Sequence, residues 1–157
     1  MSMPSRAGTV TSLNRSLGGV PKQPVAEARV TRVGMEGDRQ RNLKYHGGPD
    51  RALCLYSADL LTALRGEGHA ALPGTLGENV TIAGVDWRLL RPGVRLRIGP
   101  IGIEVTSFTM PCRNIAPVFA DRRSGRVSEL KHPGWSRVYA RVLEEGLVRI
   151  GDAVVLL

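Results

Sequence analysis

One cysteine of this chain stands in a context suited to chemistry. Cys112 lies between Pro111 and Arg113, in a segment with neither a helix pattern nor a strand pattern. A thiolate is both a nucleophile and a soft metal ligand. Pro111 suggests a sharp turn, and Arg113 brings a positive charge close to the sulfur, which favours the thiolate form. We therefore predict that Cys112 is the reactive thiol, and that Arg113 is a candidate for binding an anion next to it.

The second cysteine has a different context. Cys54 lies in the apolar run Ala52–Tyr56, which predicts a buried strand. Two cysteines are too few for a disulfide framework, so Cys112 is expected to be unpaired. An unpaired thiol is typical of a reducing compartment, and we expect a cytoplasmic protein.

Two other polar, glycine-rich runs are candidates for the same site. One begins at Gly37-Asp38 and continues through His46 to Arg51, and the other is Gly77-Glu78-Asn79. Each has a purely structural explanation, because Gly-Asp is a common hairpin signal and the residues around His46 form a turn pattern. Alternatively, His46 meets Cys112 in space and the two act as a catalytic pair.

The spacing of possible metal ligands argues against a zinc site. No two histidines stand at helical spacing, and no second cysteine is near Cys112. A closed tetrahedral site of protein ligands is therefore not expected. A single thiolate remains suited to a metal that a cofactor otherwise holds.

The elements that would position these residues are mostly short strands. Apolar or alternating runs separated by glycine and proline predict strands at 8–13, 25–31, 52–56, 80–82, 95–98, 101–106, 135–143 and 147–157, with a short helix at 57–64 that Ser57 caps. Gly99 and Gly151 each end a basic, alternating run, which suggests barrel corners. The prediction is a mainly β, barrel-like fold with a few short helices, in one domain spanning 1–157.

The charge of the chain permits several interpretations. The net charge is +8 and the basic residues are almost all arginine, spread without a run of like charge. Compositional bias, anion binding and nucleic-acid binding all remain open. Aromatic residues make up only 4%, which leaves few stacking platforms for single strands and makes a nucleic-acid partner the least favoured of the three. No run is long and apolar enough for a membrane span, so no membrane association is expected.

Taken together and in this order, the runs resemble the MOSC domain. The residues that carry the resemblance are Gly37–Gln40, His46–Ala52, Leu55-Tyr56, Gly77–Asn79 and Pro111-Cys112. The MOSC domain occurs at the C-terminus of molybdenum-cofactor sulfurases and as short stand-alone bacterial proteins. The stand-alone branch, which includes a detoxifying protein for N-hydroxylated bases, is the closer likeness.

The resemblance implies a molybdenum-pterin cofactor. It assigns to Cys112 either ligation of molybdenum or carriage of a persulfide sulfur. The first role makes the protein a reductase of small N-hydroxylated substrates served by a separate reductase partner, and the second makes it a sulfur carrier served by a cysteine desulfurase. No pyridoxal phosphate is expected on this chain. The expected site residues are His46 as a second catalytic residue, with Arg39, Arg51, Arg113, Asn79, Gly47 and Gly48 holding the cofactor.

One departure from the family pattern concerns the cation near the thiol. The arginine often found just upstream of the Pro-Cys pair is absent, because Thr109 and Met110 precede Pro111 here. Arg113 is the replacement that the sequence suggests.

Overall fold

Short strands with one buried face make up most of the protein. The computed structural model describes residues 3–38 and 48–157. Within them lie eleven strands: β1 Ala7–Arg15, β2 Gln23–Val25, β3 Glu27–Thr31, β4 Gly34–Met35, β5 Leu53–Ser57, β6 Val80–Ala83, β7 Arg95–Ile98, β8 Ile101–Phe108, β9 Val138–Glu144, β10 Gly146–Arg149 and β11 Ala153–Leu156. The same part of the chain has one α-helix, α1 Ala58–Gly66, and four 3-10 helices, Pro49–Arg51, Trp87–Leu89, Arg113–Val118 and Ser124–Val127.

Seven of the strands close into a barrel. Their order is β11-β7-β8-β9-β5-β6-β1, and β1 pairs back with β11. Closure leaves no strand of the ring with an unpaired edge along its whole length. A smaller sheet, β10-β3-β4, is separate from the ring. Strand β2 pairs antiparallel with the C-terminal end of β1. The prediction of a mainly β, barrel-like fold is confirmed.

The barrel interior holds the apolar core. Alternation is clearest in β7, where Leu96 and Ile98 are buried and the arginines between them are exposed. Strand β5 is buried along its whole length because α1 covers it and β6 from outside the barrel. The Ser57 hydroxyl accepts a hydrogen bond from the Leu60 N–H at 3.1 Å, which caps α1 as the sequence predicts. No helix among the described residues has the length and apolarity that crossing a membrane requires.

Two predicted strands are each divided in the structure. The run 25–31 breaks at Ala26 into β2 and β3, which belong to different sheets. The run 147–157 breaks around Gly151 into β10 and β11, and β10 pairs with β3 rather than with its neighbour β9. Alternation of apolar and polar residues predicts that one face of a strand is buried, but it does not predict which sheet the strand joins.

Gly99, which the sequence suggests as a barrel corner, lies in the tight turn between β7 and β8. Its φ is +52°, and its N–H donates to the Ala153 carbonyl at 2.9 Å, which fixes the β7–β8 turn to β11. A Cβ at this position would collide with the carboxylate of Asp152. Only glycine therefore allows the turn and the neighbouring strand to meet here.

Candidate functional site

A cleft formed by strands and loops of the barrel contains the thiol predicted to be reactive. The cleft is open to solvent. The chain before β2, the turn before β6, the segment after β8 and the strands β5 and β9 all contribute to its walls, through Gly19, Val20, Lys22, Cys54, Leu76, Gly77, Cys112, Asn114, Ile115, Arg137 and Tyr139. Two of these residues are cationic and none is acidic, so the described walls favour an anionic ligand.

The two cysteines share this cleft but differ in burial. Cys112 is half-buried at the start of the 3-10 helix Arg113–Val118. Cys54 is only 6% exposed, and it faces Tyr139 across the β5–β9 pair. Burial raises the pKa of the Cys54 thiol to about 11, and the nearby Arg137 offsets only part of that rise. Cys54 is thus held as a neutral thiol, while Cys112 is the more accessible sulfur.

A buried ion pair fixes the first cation of the cleft. The Lys22 ammonium donates to both carboxylate oxygens of Asp38, at 2.6 and 2.7 Å. The two side chains are only 5% and 2% exposed. Asp38 also accepts from the Ser16 N–H and from the Asn79 amide, each at 2.9 Å. Four hydrogen bonds from three donor groups therefore hold this carboxylate, and the charge of Lys22 is compensated within the protein.

Asn79 connects that ion pair to the strand carrying Cys54. Its side-chain oxygen accepts from the Cys54 N–H at 3.0 Å, and its own N–H donates to the Cys54 carbonyl at 2.8 Å. The Asn79 amide group donates to the Asn14 carbonyl at 3.3 Å as well as to Asp38. Asn79 is completely buried, so it supports the cleft wall from behind and does not line it.

Glu78 is a buried carboxyl next to Asn79. It is fully shielded from solvent and accepts a hydrogen bond from the Thr81 hydroxyl at 3.1 Å. Burial raises its pKa above the ordinary value, although backbone and Thr81 hydrogen bonds oppose this shift. Gly77, which precedes it, does line the cleft with φ +83°, and a Cβ there would lie 3.0 Å from Val20. A side chain at Gly77 would therefore both strain the backbone and narrow the cleft.

Arg137 is the second cation of the cleft. It is 6% exposed, and its terminal nitrogens donate to the Leu76 carbonyl at 2.8 Å and the Met110 carbonyl at 3.4 Å. These carbonyls belong to opposite walls, next to Gly77 and two residues before Cys112. The guanidinium therefore ties together the two loops that border the cleft. Tyr139 lines the cleft two residues later, and burial raises the pKa of its hydroxyl, which stays protonated at neutral pH.

The residues predicted from sequence fall into three groups. Cys112 and Gly77 line the cleft, and Asn79 supports it. Arg51 is half-buried with its guanidinium carbon 5.4 Å from the centre of the Tyr139 ring, and the exposed Gly48 begins the turn before it. Arg113 is exposed and does not line the cleft, although the next residue, Asn114, does. The other predicted positions, His46, Gly47 and Arg39, lie outside the described residues.

Sequence reasoning missed both cations of the cleft. Lys22 is one of only three lysines and follows a Gly-Gly-Val-Pro segment, a signal that could have been used. Arg137 offered no such signal. It reaches the site because its carbonyl accepts from the Thr109 N–H at 3.0 Å, where the extension of β8 runs beside the start of β9.

Comparison with known proteins identifies the family. The family model "MOSC domain" matches residues 42–155. The chain belongs to the MOSC domain family. Relatives include YflK of Bacillus subtilis, 33% identical over 143 residues, and YiiM of Escherichia coli, 37% identical over 90 residues. These matches cover 88% and 55% of this chain but only 63% and 40% of the relatives, so this MOSC chain spans less than two thirds of either one.

Solved structures agree with the family at the level of the fold. The YUAD protein from Bacillus subtilis superposes with a TM-score of 0.74 at 18% identity, covering 98% of both chains. The crystal structure of YiiM from Escherichia coli superposes with a TM-score of 0.67 at 21% identity, covering 99% of this chain and 70% of that one. At these identities the likeness establishes the MOSC barrel and nothing finer.

Proposed function

We propose that this MOSC protein binds a molybdenum-pterin cofactor in the cleft, with the Cys112 sulfur as the protein ligand of the metal. The loaded protein then reduces small N-hydroxylated substrates. The observation that carries the proposal is the position of Cys112, a half-buried thiol on the wall of a cleft lined by two cations and no acid.

The side chains of the cleft are suited to a molybdenum-pterin cofactor. No cluster of three or more His, Cys, Asp or Glu side chains suited to a metal occurs in residues 3–38 and 48–157. A metal that arrives in its own organic chelate needs only one additional ligand from the protein, and a soft thiolate is suited to that role. The chelate of a molybdenum pterin carries a phosphate, for which Arg137 supplies a cationic donor.

The side chains of the cleft have distinct roles in this proposal. Cys112 supplies the thiolate, and Lys22, whose ammonium donates to both carboxylate oxygens of Asp38, forms part of the cleft wall. The protonated Tyr139 hydroxyl keeps a proton within the cleft. When bound, the cofactor supplies two-electron redox chemistry. In the overall reaction an N-hydroxylated compound takes up two electrons from a separate reductase and two protons, and it yields the amine and water.

The sulfur-carrier role rests on the same thiol. A persulfide on Cys112 needs an accessible sulfur and a cleft that admits the acceptor, but it does not need retained molybdenum. Elemental analysis of the purified protein, combined with mass spectrometry of the peptide containing Cys112, distinguishes the two functions. Retained molybdenum supports the reductase, whereas a mass increase of one sulfur without metal supports the carrier.

The decisive experiment uses the two cysteines as matched variants. Protein reconstituted with the cofactor is freed of unbound material, and its molybdenum content is measured. We expect Cys112→Ser to lose most of the metal and most of the reductase activity, while Cys54→Ser retains both, because the Cys54 thiol is buried and neutral. Equal molybdenum content in the two variants would disprove the ligand role of Cys112.

A further inference from the structure

The charge of Arg137 has no ion-pair partner among the described residues. No carboxylate in that part of the chain lies within ion-pairing distance of this guanidinium. The buried Glu78 does interact with it electrostatically, but burial raises the pKa of that carboxyl and so favours its neutral form. The Nε of Arg137 is buried and has no hydrogen-bond partner in that part of the chain. Two backbone carbonyls accept from the terminal nitrogens, but they carry only partial charge. Arginine cannot lose its proton in a protein, so the charge remains.

A buried cation without a counter-ion is costly. Removing an ion from water carries a large free-energy penalty, and a well-placed partner of opposite charge is needed to offset it. Lys22, the other cation of the cleft, has such a partner in Asp38. Arg137 therefore concentrates the unbalanced positive charge of the cleft at one point, between the turn at Gly77 and the segment that leads to Cys112.

We propose that Arg137 forms an oxoanion-binding subsite of the cleft. The subsite takes a phosphate or carboxylate group of a small molecule whose remaining atoms lie beside Cys112. A guanidinium presents a planar fork of N–H donors that matches an oxoanion, whereas an ammonium presents a point charge. Assigning the anion to the cofactor or the substrate rests on the proposed function, but the binding of an oxoanion rests on the geometry of this chain alone.

The position of Arg137 also bears on the arginine that is missing upstream of the Pro111-Cys112 pair. No arginine stands directly upstream of Pro111, and Arg113, which follows the thiol, is exposed and does not line the cleft. Arg137, the residue just before β9, donates to the Met110 carbonyl and so brings a guanidinium to the Pro-Cys segment. The guanidinium on this side of the cleft is thus supplied by tertiary pairing and not by the cysteine segment itself.

Anion binding to the cofactor-free protein tests the subsite directly. Inorganic phosphate is the probe, and sodium chloride at equal ionic strength is the control. The readouts are the melting temperature and the rate at which neutral iodoacetamide labels Cys112. Phosphate should raise the melting temperature saturably, and it should slow labelling about tenfold at about ten times its dissociation constant.

Two arginine variants separate the subsite from general surface charge. Arg137→Gln should abolish both phosphate effects, and Arg137→Lys should weaken them because the fork is lost. Arg113→Gln removes the same charge at an exposed position next to the thiol, and it should leave both effects intact. Phosphate effects that survive in Arg137→Gln, or that disappear in Arg113→Gln, would overturn the proposal.

Loss of the Leu76 and Met110 contacts could prevent Arg137→Gln from folding. The wild-type protein then decides the matter, because phosphate that has no more effect than chloride on labelling and melting refutes the subsite. Loading the cofactor identifies the source of the anion. The melting temperature is the readout for the loaded protein. Stabilisation by phosphate that disappears on loading assigns the subsite to the cofactor, and stabilisation that persists assigns it to the substrate. Phosphate binding by a protein that never retains molybdenum would sustain the subsite and reject the proposed function.

Discussion

Breaking the buried Lys22–Asp38 ion pair should cost the fold several kcal/mol. The substitution Asp38→Asn keeps the shape of the side chain but removes its charge. It leaves the Lys22 ammonium, 5% exposed, without a counter-ion. It also replaces an acceptor of bonds from Lys22, Ser16 and Asn79 with a group that has one acceptor oxygen. Removing one partner of a buried pair typically destabilises a protein by about 3–5 kcal/mol.

Urea denaturation measures this loss. With an m-value of about 2 kcal/mol per molar urea, the unfolding midpoint should fall by about 1.5–2.5 M. The matched control is Glu144→Gln, which breaks an ion pair with Arg97 whose side chains are 60% and 44% exposed. An exposed pair contributes at most about 1 kcal/mol, so the midpoint of the control should move by no more than about 0.5 M.

A double-mutant cycle isolates the interaction between the two charges. Lys22→Met leaves Asp38 unpaired, and we expect it to be as damaging as Asp38→Asn. The double variant removes both buried charges. Its loss of unfolding free energy should therefore be smaller than the summed losses of the two single variants by about 2 kcal/mol or more. An Asp38→Asn variant as stable as Glu144→Gln, or strictly additive single changes, would refute the view that this pair holds the cleft wall.

Two further predictions concern buried titratable groups. At pH 7.5, iodoacetamide should label Cys54 about 100-fold more slowly in the folded chain than in urea, because burial raises the pKa of the Cys54 thiol from 9.0 to about 11. Cys112 should label readily under both conditions. Peptide mapping that finds Cys54 labelled before Cys112 in the folded protein would contradict this prediction. The raised pKa of Glu78 means that the unfolded state releases its proton first as pH rises, so wild-type stability should fall relative to Glu78→Gln as the pH rises above 4.5. Urea midpoints of the two proteins that run parallel from this pH upward would show that Glu78 is not the group responsible.

Predicting the barrel from sequence depended on local signals. Alternation in β7 and β8 and the Gly99-Pro100 turn between them predict a hairpin, and the structure pairs Arg95 with Glu104 and Ile98 with Ile101. The division of 25–31 into β2 and β3 has no comparable signal, because it depends on two different partner strands. The identity of a partner is a non-local property that alternation does not encode.

The site shows the same limit. Glycine-rich polar runs marked Gly77 and Asn79, since such runs are atypical of core strands, and the unusual surroundings of Cys112 marked the thiol. Lys22 and Arg137 join them only through contacts made by folding, namely the buried Asp38 and the Thr109–Arg137 backbone pairing. From the sequence alone, a charged residue whose role depends on a distant partner cannot be distinguished from an exposed surface charge.

Net charge is accordingly a poor guide to where the charge of this protein acts. The chain carries +8, yet arginines such as Arg95 and Arg97 pair across strands on the exposed outside of the barrel with Glu104 and Glu144. Charges on such a surface are screened by salt within about 10 Å and attract any anion weakly. A single guanidinium in a partly desolvated cleft acts through a lower effective dielectric and at a fixed position. The proposed preference for an anionic ligand therefore rests on Arg137, and we expect it to persist in a variant whose surface arginines have been neutralised.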